Sequence, residues 1–269
     1  MARINAVSFH RDPNIESICH KVKAAGFDSI EVSRPPFFEK LITQEVRKKF
    51  QEYVSDIGLS LYGFDCWVEV DPYTARKQTL EGFAAAIDFA VDLELGMIIS
   101  HDPWAHVNSG RAPAECLKAS VDLFQQVADW ALAKQLNLVF EPHPDTLSMD
   151  NNWAIDFVDG IGRPNVGLLY DCCHYGVGQP DHYFDSIHKL GLRIRHLHFS
   201  DGDRKTYALH LPLGEGELDL RAIVAALKAI GFRGTLTNDM YNYPLLENGA
   251  RRNVKKIREV EEQLGITSP

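Results

Sequence analysis

The segment DLRAIVAALKAIGFRGTLTNDMY (219–241) contains a helical pattern that is followed directly by a short strand-like run. Asp219 is a suitable N-cap at its start, and Gly231 is a suitable stop at its end. The apolar residues between them recur at helical spacing: Leu220, Ile223, Val224, Leu227 and Ile230. Another strand-like run, IRHLHFSD (194–201), precedes the helix. Because parallel strands need a crossover connection, this order predicts a parallel β-α-β unit.

The same alternation of strand and helix continues toward the N-terminus. The predicted strands are ARINAVSF (2–9), SIEVSR (29–34), LSLYGFDCW (59–67), MIISHDP (97–103), NLVFEPHP (137–144), VGLLYDCCH (166–174), IRHLHFSD (194–201) and GTLTNDMY (234–241). Eight units of about 34 residues favour a closed barrel over an open doubly wound sheet. No GxGxxG follows the first strand, which weakens a dinucleotide-binding alternative. We predict a single (β/α)8 TIM barrel domain over residues 1–269.

Composition limits the classes of partner and compartment. Lys plus Arg number 28 against 37 Asp plus Glu, a formal charge of −9, which disfavours a nucleic-acid partner. The five cysteines show no CxxC or Cys/His metal spacing, so reduced thiols are the simpler interpretation. No signal-like segment or membrane-length apolar run is present. We expect a cytoplasmic protein that has no membrane partner.

Polar residues end the predicted strands, where such a barrel places its catalytic groups. They are His10, Glu31, Asp65, His101, Asp102, Glu141, His143, Asp171, His174, His196, His198, Asp201 and Asp239. Taken singly, an acidic strand end is more often a helix cap, and a lone strand histidine is more often a hydrogen-bonded core group. Strands five to eight, however, each offer a ligand at the same height.

This ligand set is Glu141, Asp171, His198 and Asp239. Three carboxylates and one imidazole suit a hard or borderline divalent cation. We therefore predict one divalent metal ion, Mn²⁺ first, with Mg²⁺, Co²⁺ or Zn²⁺ as alternatives. His196 lies two residues before His198 on the same strand face, and a supporting hydrogen bond is its expected role.

Several motifs resemble those of the xylose isomerase-like TIM barrels of the sugar isomerase/epimerase family. They are FEPHP (140–144), YDCCH (170–174), RHLHFSDGDR (195–204), HLPLGEGELD (210–219) and an acid after FRGTLT (232–237). Relatives in this family include tagatose and psicose 3-epimerases, hydroxypyruvate isomerase and inosose dehydratase. The resemblance implies metal binding by the same four residues and substrate contact by His174. Arg204 matches an arginine that follows the metal-binding histidine by six residues in the family. Oligomers are common among such barrels, so a homo-oligomer is compatible with it.

One position departs from the family pattern. Asp239 stands where the family typically has Glu, and its side chain is one methylene shorter. In the epimerases the strand-five and strand-eight glutamates act as a base and acid pair on opposite faces of the substrate. By this resemblance Glu141 and Asp239 are the catalytic pair, and the shorter acid puts two-base epimerisation in question.

A second resemblance keeps a lyase alternative open. FEPHPDTL (140–147) is similar to the strand-five motif of the dehydroshikimate dehydratase branch, where a histidine two residues after Glu does acid/base work. That histidine matches His143. Proton abstraction beside a carbonyl, through an ene-diolate held by the metal, is common to epimerisation, isomerisation and dehydration, so the ligand set does not choose among them. The substrate class is a sugar, keto-sugar or keto-polyol.

Further residues are candidates for the wall of a sugar pocket: His10, His101, Trp67 and Trp104. His210 fits either the mouth of the barrel or a surface loop. The GEGE turn (214–217) is weak support for a phosphate site because its glutamates would repel an anion. A nuclease, which needs further His and Glu ligands and a basic groove, and a barrel that binds sugar without turnover are the remaining alternatives.

Overall fold

The computed structural model describes residues 1–101 and 110–266. Eight parallel strands close into a barrel in sequence order, and β1 pairs with β8 through Ile4 and Asn238. The strands are β1 Arg3–Asn5, β2 Ser29–Ser33, β3 Ser60–Asp65, β4 Met97–Ser100, β5 Asn137–Phe140, β6 Val166–Asp171, β7 Ile194–Phe199 and β8 Thr235–Asn238. The predicted (β/α)8 TIM barrel is therefore confirmed, with strands shorter than their apolar runs.

Helices connect the strands and cover the outside of the barrel. They are α1 Ile15–Ala25, α2 Phe37–Lys40, α3 Gln44–Asp56, α4 Arg76–Asp92, α5 Pro113–Ala133, α6 Asn151–Ile161, α7 Cys172–Gly178, α8 Tyr183–Leu190, α9 Leu220–Ala229 and α10 Leu246–Leu264. The predicted cap is present at α9, where the Asp219 side chain accepts from the amide of Ala222 at 2.9 Å. None of the described helices is long and apolar enough to cross a membrane.

The core has two parts because strand side chains alternate in direction. Outside the barrel wall, aromatic rings pack between strands and helices, as where Phe124 of α5 meets Phe140 of β5 at 4.7 Å between ring centroids. Inside, a small apolar cluster of Met97, Ile99, Val139 and Leu169 packs with Tyr62. Moving two residues along β5 and β6 from Val139 and Leu169 leads to Glu141 and Asp171, so the inward face becomes polar toward the carboxyl ends of the strands.

Candidate active site

The four predicted ligands converge at the carboxyl ends of β5 to β8. The Nδ1 atom of His198 lies 2.9 Å from Oε1 of Glu141, 3.8 Å from Oδ2 of Asp171 and 3.7 Å from Oδ2 of Asp239. All four residues are buried. We call Glu141, Asp171, His198 and Asp239 the ligand cluster. Its three carboxylates surround one imidazole nitrogen.

Local structure fixes the two aspartates of the ligand cluster. Asp171 pairs with His198 across β6 and β7, and its Oδ1 caps α7 by accepting from the amide of His174 at 2.8 Å. Its Oδ2 is buried and has no hydrogen-bond partner among the described residues. Oδ1 of Asp239 accepts from the Ser8 hydroxyl at 3.2 Å. Despite its missing methylene, Asp239 thus presents Oδ2 to the cluster.

Glu31 of β2 supports His198 from inside the barrel. Its Oε1 lies 2.9 Å from Nε2 of His198, and its Oε2 lies 2.9 Å from Nε2 of His196 and 3.1 Å from the hydroxyl of Thr237. Burial opposes ionisation of Glu31, but the two imidazoles outweigh it and lower the pKa of the carboxyl to about 2. Glu31 is therefore an ionised acceptor that orients His198, and the supporting hydrogen bond expected of His196 is present.

Electrostatics in the ligand cluster demand positive charge. Burial disfavours the charged form of His198, yet Glu141 and Glu31 raise its pKa well above the usual value. Burial likewise opposes ionisation of Glu141, but His198 and His143 hold its pKa well below the usual value. Burial, reinforced by Glu141, raises the pKa of Asp171 to about 6 although His210 and His198 oppose the change. Ionised carboxylates and an imidazolium thus lie close together on buried side chains.

These donors fit a divalent cation. Ligand atoms of Glu141, Asp171 and His198 all lie within 4.8 Å of one another, and Oδ2 of Asp171 has no hydrogen-bond partner among the described residues. Glu31 accepts from Nε2 of His198, so Nδ1 is the ring nitrogen that faces the three carboxylates. Two other groups of the same kind share residues with this one: His101, Glu141 and His143, and Asp171, His174 and His210. The geometry does not specify which metal would bind.

A cavity of about 220 Å³ opens above the ligand cluster. Its lining residues are Val7, Asp65, Trp67, Glu141, His143, His174, Tyr207, Ala208, His210, Asp239 and Tyr241. Nε2 of His143 lies 3.5 Å from Oε2 of Glu141, and the rings of His143 and His174 are 4.0 Å apart. Nδ1 of His174 faces the carbonyl oxygen of Pro142 at 3.2 Å. A wall of imidazoles therefore stands beside the carboxylate of Glu141.

Trp67 and His101 form one edge of this wall. Their ring centroids are 4.6 Å apart, and Trp67 is 41% exposed while His101 is buried. Nδ1 of His101 lies 3.7 Å from Oε2 of Glu141. Burial, reinforced by the neighbouring His143, lowers the pKa of His101 to about 3, so this imidazole is neutral. Trp67 lines the cavity directly, and His101 packs behind it.

Two predicted substrate contacts, Arg204 and His10, do not line this cavity. Arg204 donates to the carbonyl oxygen of Pro180 and lies 3.8 Å from Asp181, so it is not among the described residues that line the cavity. His10 packs on Tyr241, with 4.8 Å between ring centroids, and lines a neighbouring cavity of about 510 Å³. Trp104 and Asp102 lie outside the described residues.

The pattern of residues left His210 undecided between the mouth of the barrel and a surface loop, and the structure brings it to the site. His210 is buried, and its Nδ1 lies 3.4 Å from Oδ2 of Asp239, while its Nε2 is 3.0 Å from the carbonyl oxygen of Tyr207. Asp201 explains its position, because it accepts from the amides of Gly214 and Leu218 and so anchors the loop after β7. The HLPLGEGE run was the available signal. It marks an anchored loop, in which the first amide of the GEGE turn donates to Asp201.

Comparison with known proteins shows the family to which the fold belongs. The family model described as xylose isomerase-like TIM barrel matches residues 19–260. An inosose isomerase from Bacillus velezensis is 26% identical over 167 residues, which is 55% of this chain and 55% of that protein. The chain thus matches about half the length of this relative. A fructoselysine 3-epimerase from Shigella flexneri is 22% identical over 245 residues, 86% of this chain and 87% of that protein.

Solved structures with the same fold match nearly the whole chain. A D-tagatose 3-epimerase-like protein superposes with a TM-score of 0.80 at 18% identity and covers 98% of this chain and 97% of its own. The IolI protein with a bound zinc atom has a TM-score of 0.77 at 17% identity, with 98% of each chain covered. At these identities the structural likeness shows the fold alone. The family model spans most of the barrel, and the chain belongs to the xylose isomerase-like TIM barrel family.

Proposed function

We propose that the protein is a divalent-metal-dependent sugar isomerase or epimerase that acts on a ketose or keto-sugar. The observation that carries this proposal is the convergence of the ligand cluster on Nδ1 of His198 at the floor of the cavity. Pockets for drug-sized ligands measure roughly 300–1,000 Å³, so the smaller cavity of about 220 Å³ suits a small polyol. Relatives named as sugar isomerases and epimerases support the same substrate class.

The ligand cluster would hold the cation through three carboxylates and Nδ1 of His198. Oxygen-rich ligands favour Mn²⁺ or Mg²⁺, and the imidazole is compatible with Co²⁺ or Zn²⁺. When bound, a divalent cation supplies a Lewis acid that polarises a substrate carbonyl and makes the neighbouring C–H more acidic. Glu31 would keep Nδ1 directed at the ion by accepting from Nε2 of His198.

Glu141 is the proposed base. Its Oε1 faces His198 at 2.9 Å, whereas its Oε2 faces His143 at 3.5 Å. One oxygen can therefore serve the cluster while the other takes a proton from substrate carbon. Since neighbouring imidazoles hold the pKa of Glu141 well below its usual value, the carboxylate is ionised at neutral pH.

Asp239 and His174 complete the proposed site. Asp239 follows β8 and lines the cavity. In the closed barrel β8 lies across from β4 and next to β1. Asp239 is the proposed second acid/base group. Nδ1 of His174 faces the Pro142 carbonyl, which directs the other ring nitrogen toward a substrate oxygen. Trp67 offers an apolar wall. Re-protonation at the same carbon gives an epimer, and re-protonation at the adjacent carbon gives an isomer.

Isotope exchange tests this proposal without a known substrate. Protein loaded with Mn²⁺ is incubated in D₂O with a panel of ketoses, then the metal is removed, and ¹H NMR follows loss of the C–H signal beside the carbonyl. We expect exchange with at least one ketose and about 10²–10⁴-fold slower exchange in Glu141→Gln. The exposed Glu45→Gln serves as the matched control. Absence of exchange across the panel would refute the proposal.

A lyase of the same fold is the second candidate, and the position of His143 favours it. Its Nε2 lies 3.5 Å from Oε2 of Glu141, so an imidazole stands beside the base where it can protonate a departing hydroxyl. A cyclic keto-polyol or keto-acid would then lose water and form a conjugated enone.

Ultraviolet absorbance distinguishes the two reactions. Growth of the absorbance band of the dehydrated product, an aromatic ring from dehydroshikimate or an enone from an inosose, and its loss in His143→Gln, would support the lyase. Deuterium exchange without an enone, retained in His143→Gln, would support the isomerase or epimerase.

A further inference from the structure

A continuous hydrogen-bond chain runs through the inside of the barrel from the ligand cluster toward the amino ends of the strands. Starting at His198, it passes through Glu31 and His196 and reaches the hydroxyl groups of Thr235 and Tyr62. The four links measure 2.9 Å from His198 to Glu31, 2.9 Å from Glu31 to His196, 2.7 Å from His196 to Thr235 and 2.7 Å from Thr235 to Tyr62. His198, Glu31 and His196 are buried, so water does not compete for the two hydrogen bonds that join these three residues.

The chain has a direction. The Tyr62 hydroxyl donates to Oγ1 of Thr235, which leaves the single hydrogen of Thr235 for Nδ1 of His196. A neutral imidazole that accepts at Nδ1 carries its proton on Nε2, and Nε2 of His196 faces Oε2 of Glu31. Both oxygens of Glu31 face donors, since Oε2 also accepts from the Thr237 hydroxyl at 3.1 Å, so its Oε1 receives the Nε2 proton of His198.

We propose that Thr235 and His196 are positioning residues that fix, through Glu31, which nitrogen of His198 is available to a metal ion. The proposal rests on the metal site of the proposed function and adds residues that do not touch that site. Each group has one acceptable orientation, because reversing any link would place two donors or two lone pairs face to face. With Nε2 of His198 engaged, Nδ1 is left among the three carboxylates of the ligand cluster.

Packing holds the amino end of the chain in place. The guanidinium of Arg3 lies 4.2 Å from the ring centroid of Tyr62, and Arg3 is buried with Glu261 at 3.7 Å. The ring of Tyr62 is 5.9 Å from that of His196. Tyr62 also lines a cavity of about 440 Å³ on the side of the barrel where β7 and β8 begin. The orientation of a ligand at one mouth of the barrel is therefore tied to side chains at the other.

Thr235 is the link to test because valine has its shape without its hydroxyl. In Thr235→Val, Nδ1 of His196 loses its donor, so the imidazole is held less firmly and Glu31 loses a constant donor. We expect affinity for Zn²⁺ or Mn²⁺, measured by competition with a chelating dye, to fall about tenfold, in line with the loss of outer contacts to metal ligands. Thr235→Ser, which restores the hydroxyl, should return the affinity to within twofold of the original. Thr79→Val removes a buried hydroxyl that hydrogen-bonds to Glu69 and Asp71, and it is the matched control.

Long-range ¹H–¹⁵N NMR reads the tautomers directly, and a purely structural role would not alter it. We expect the Nε2–H form of His196 in the unmodified protein, with or without ion, and a changed ¹⁵N chemical shift of Nδ1 in Thr235→Val, where that nitrogen has lost the Thr235 hydroxyl. An Nδ1–H form of His196 in the unmodified protein would overturn the proposal, as would unchanged metal affinity in Thr235→Val. Failure to turn over any ketose would instead contradict the proposed function and leave the tautomer result standing.

Discussion

The two halves of the barrel contribute different kinds of residue to one site. β5 to β8 supply the ligand cluster, whose oxygens lie within 3.8 Å of a single imidazole nitrogen. β2 and β3 supply carboxyl groups at comparable height, Glu31 and Asp65, but Glu31 points at the far nitrogen of His198. Oδ2 of Asp65 accepts from the side-chain amide of Asn5 at 3.5 Å.

A carboxylate at a strand end is therefore not by itself a metal ligand. Burial, reinforced by the charge of Glu141, raises the pKa of Asp65 well above its usual value and so disfavours the charged form of this carboxyl. Neighbouring imidazoles keep Glu31 ionised, with a pKa of about 2. One half of the barrel thus offers charge to an ion, and the other half orients or encloses those charges.

Asp171→Asn and Asp65→Asn test this difference between the two halves of the barrel, and we expect the largest contrast in metal affinity between them. Both changes keep side-chain shape, and asparagine can still cap α7 at position 171. We expect Asp171→Asn to lower metal affinity by at least about 100-fold because a ligand oxygen loses its charge, whereas Asp65→Asn replaces a carboxyl whose charged form is disfavoured by burial and leaves affinity within about threefold. Equilibrium dialysis with Mn²⁺ measures both. Equal losses in the two variants would contradict the division between the halves.

Glu31→Gln should have the next largest effect. Glu31 accepts from His196, His198 and Thr237, but a glutamine offers one acceptor oxygen and turns its NH₂ group toward a donor. We expect metal affinity to fall about 10–100-fold, as for other partners of metal-binding histidines.

The exposed Glu16→Gln on α1 is the control for loss of one carboxylate. Circular dichroism melts of both variants show whether the barrel still folds. Retention of full affinity by folded Glu31→Gln would mean that Nε2 of His198 needs no anionic partner.

The barrel was predictable because apolar periodicity and element order are local properties of the chain. The ends of the strands were less predictable. Polar side chains cap the turns and helices that follow, so a strand stops before the end of its apolar run. Asn5 ends β1 because its side chain accepts from the amide of Val7 and starts a short 3-10 turn. Asp171 ends β6 in the same way by capping α7, so CCH (172–174) is helical and not part of a strand.

The ligand cluster was predictable because its residues end consecutive strands, where barrel closure brings them to one height. The positions of His210 and Arg204 were not, since both lie on the long loop after β7. Asp201 fixes the far part of that loop by accepting from Gly214 and Leu218, and this brings His210 inward. Arg204 instead turns outward to the Pro180 carbonyl. The direction of a loop side chain depends on such anchoring contacts, which sequence spacing does not encode.

Tyr62→Phe should produce the smallest effect of these variants, because Tyr62 lies at the end of the hydrogen-bond chain that is farthest from the ligand cluster. The hydroxyl of Tyr62 donates to Thr235 at 2.7 Å, but Thr235 keeps its own hydrogen for His196 when that donor is removed. We expect the free energy of unfolding to fall by about 1 kcal/mol, the usual net value of one hydrogen bond, and metal affinity to change by less than about threefold. Urea denaturation and chelator competition measure the two quantities. A loss of affinity as large as that of Glu31→Gln would contradict this expectation. It would mean that the Thr235 hydroxyl does not hold His196 in place unless Tyr62 donates to it.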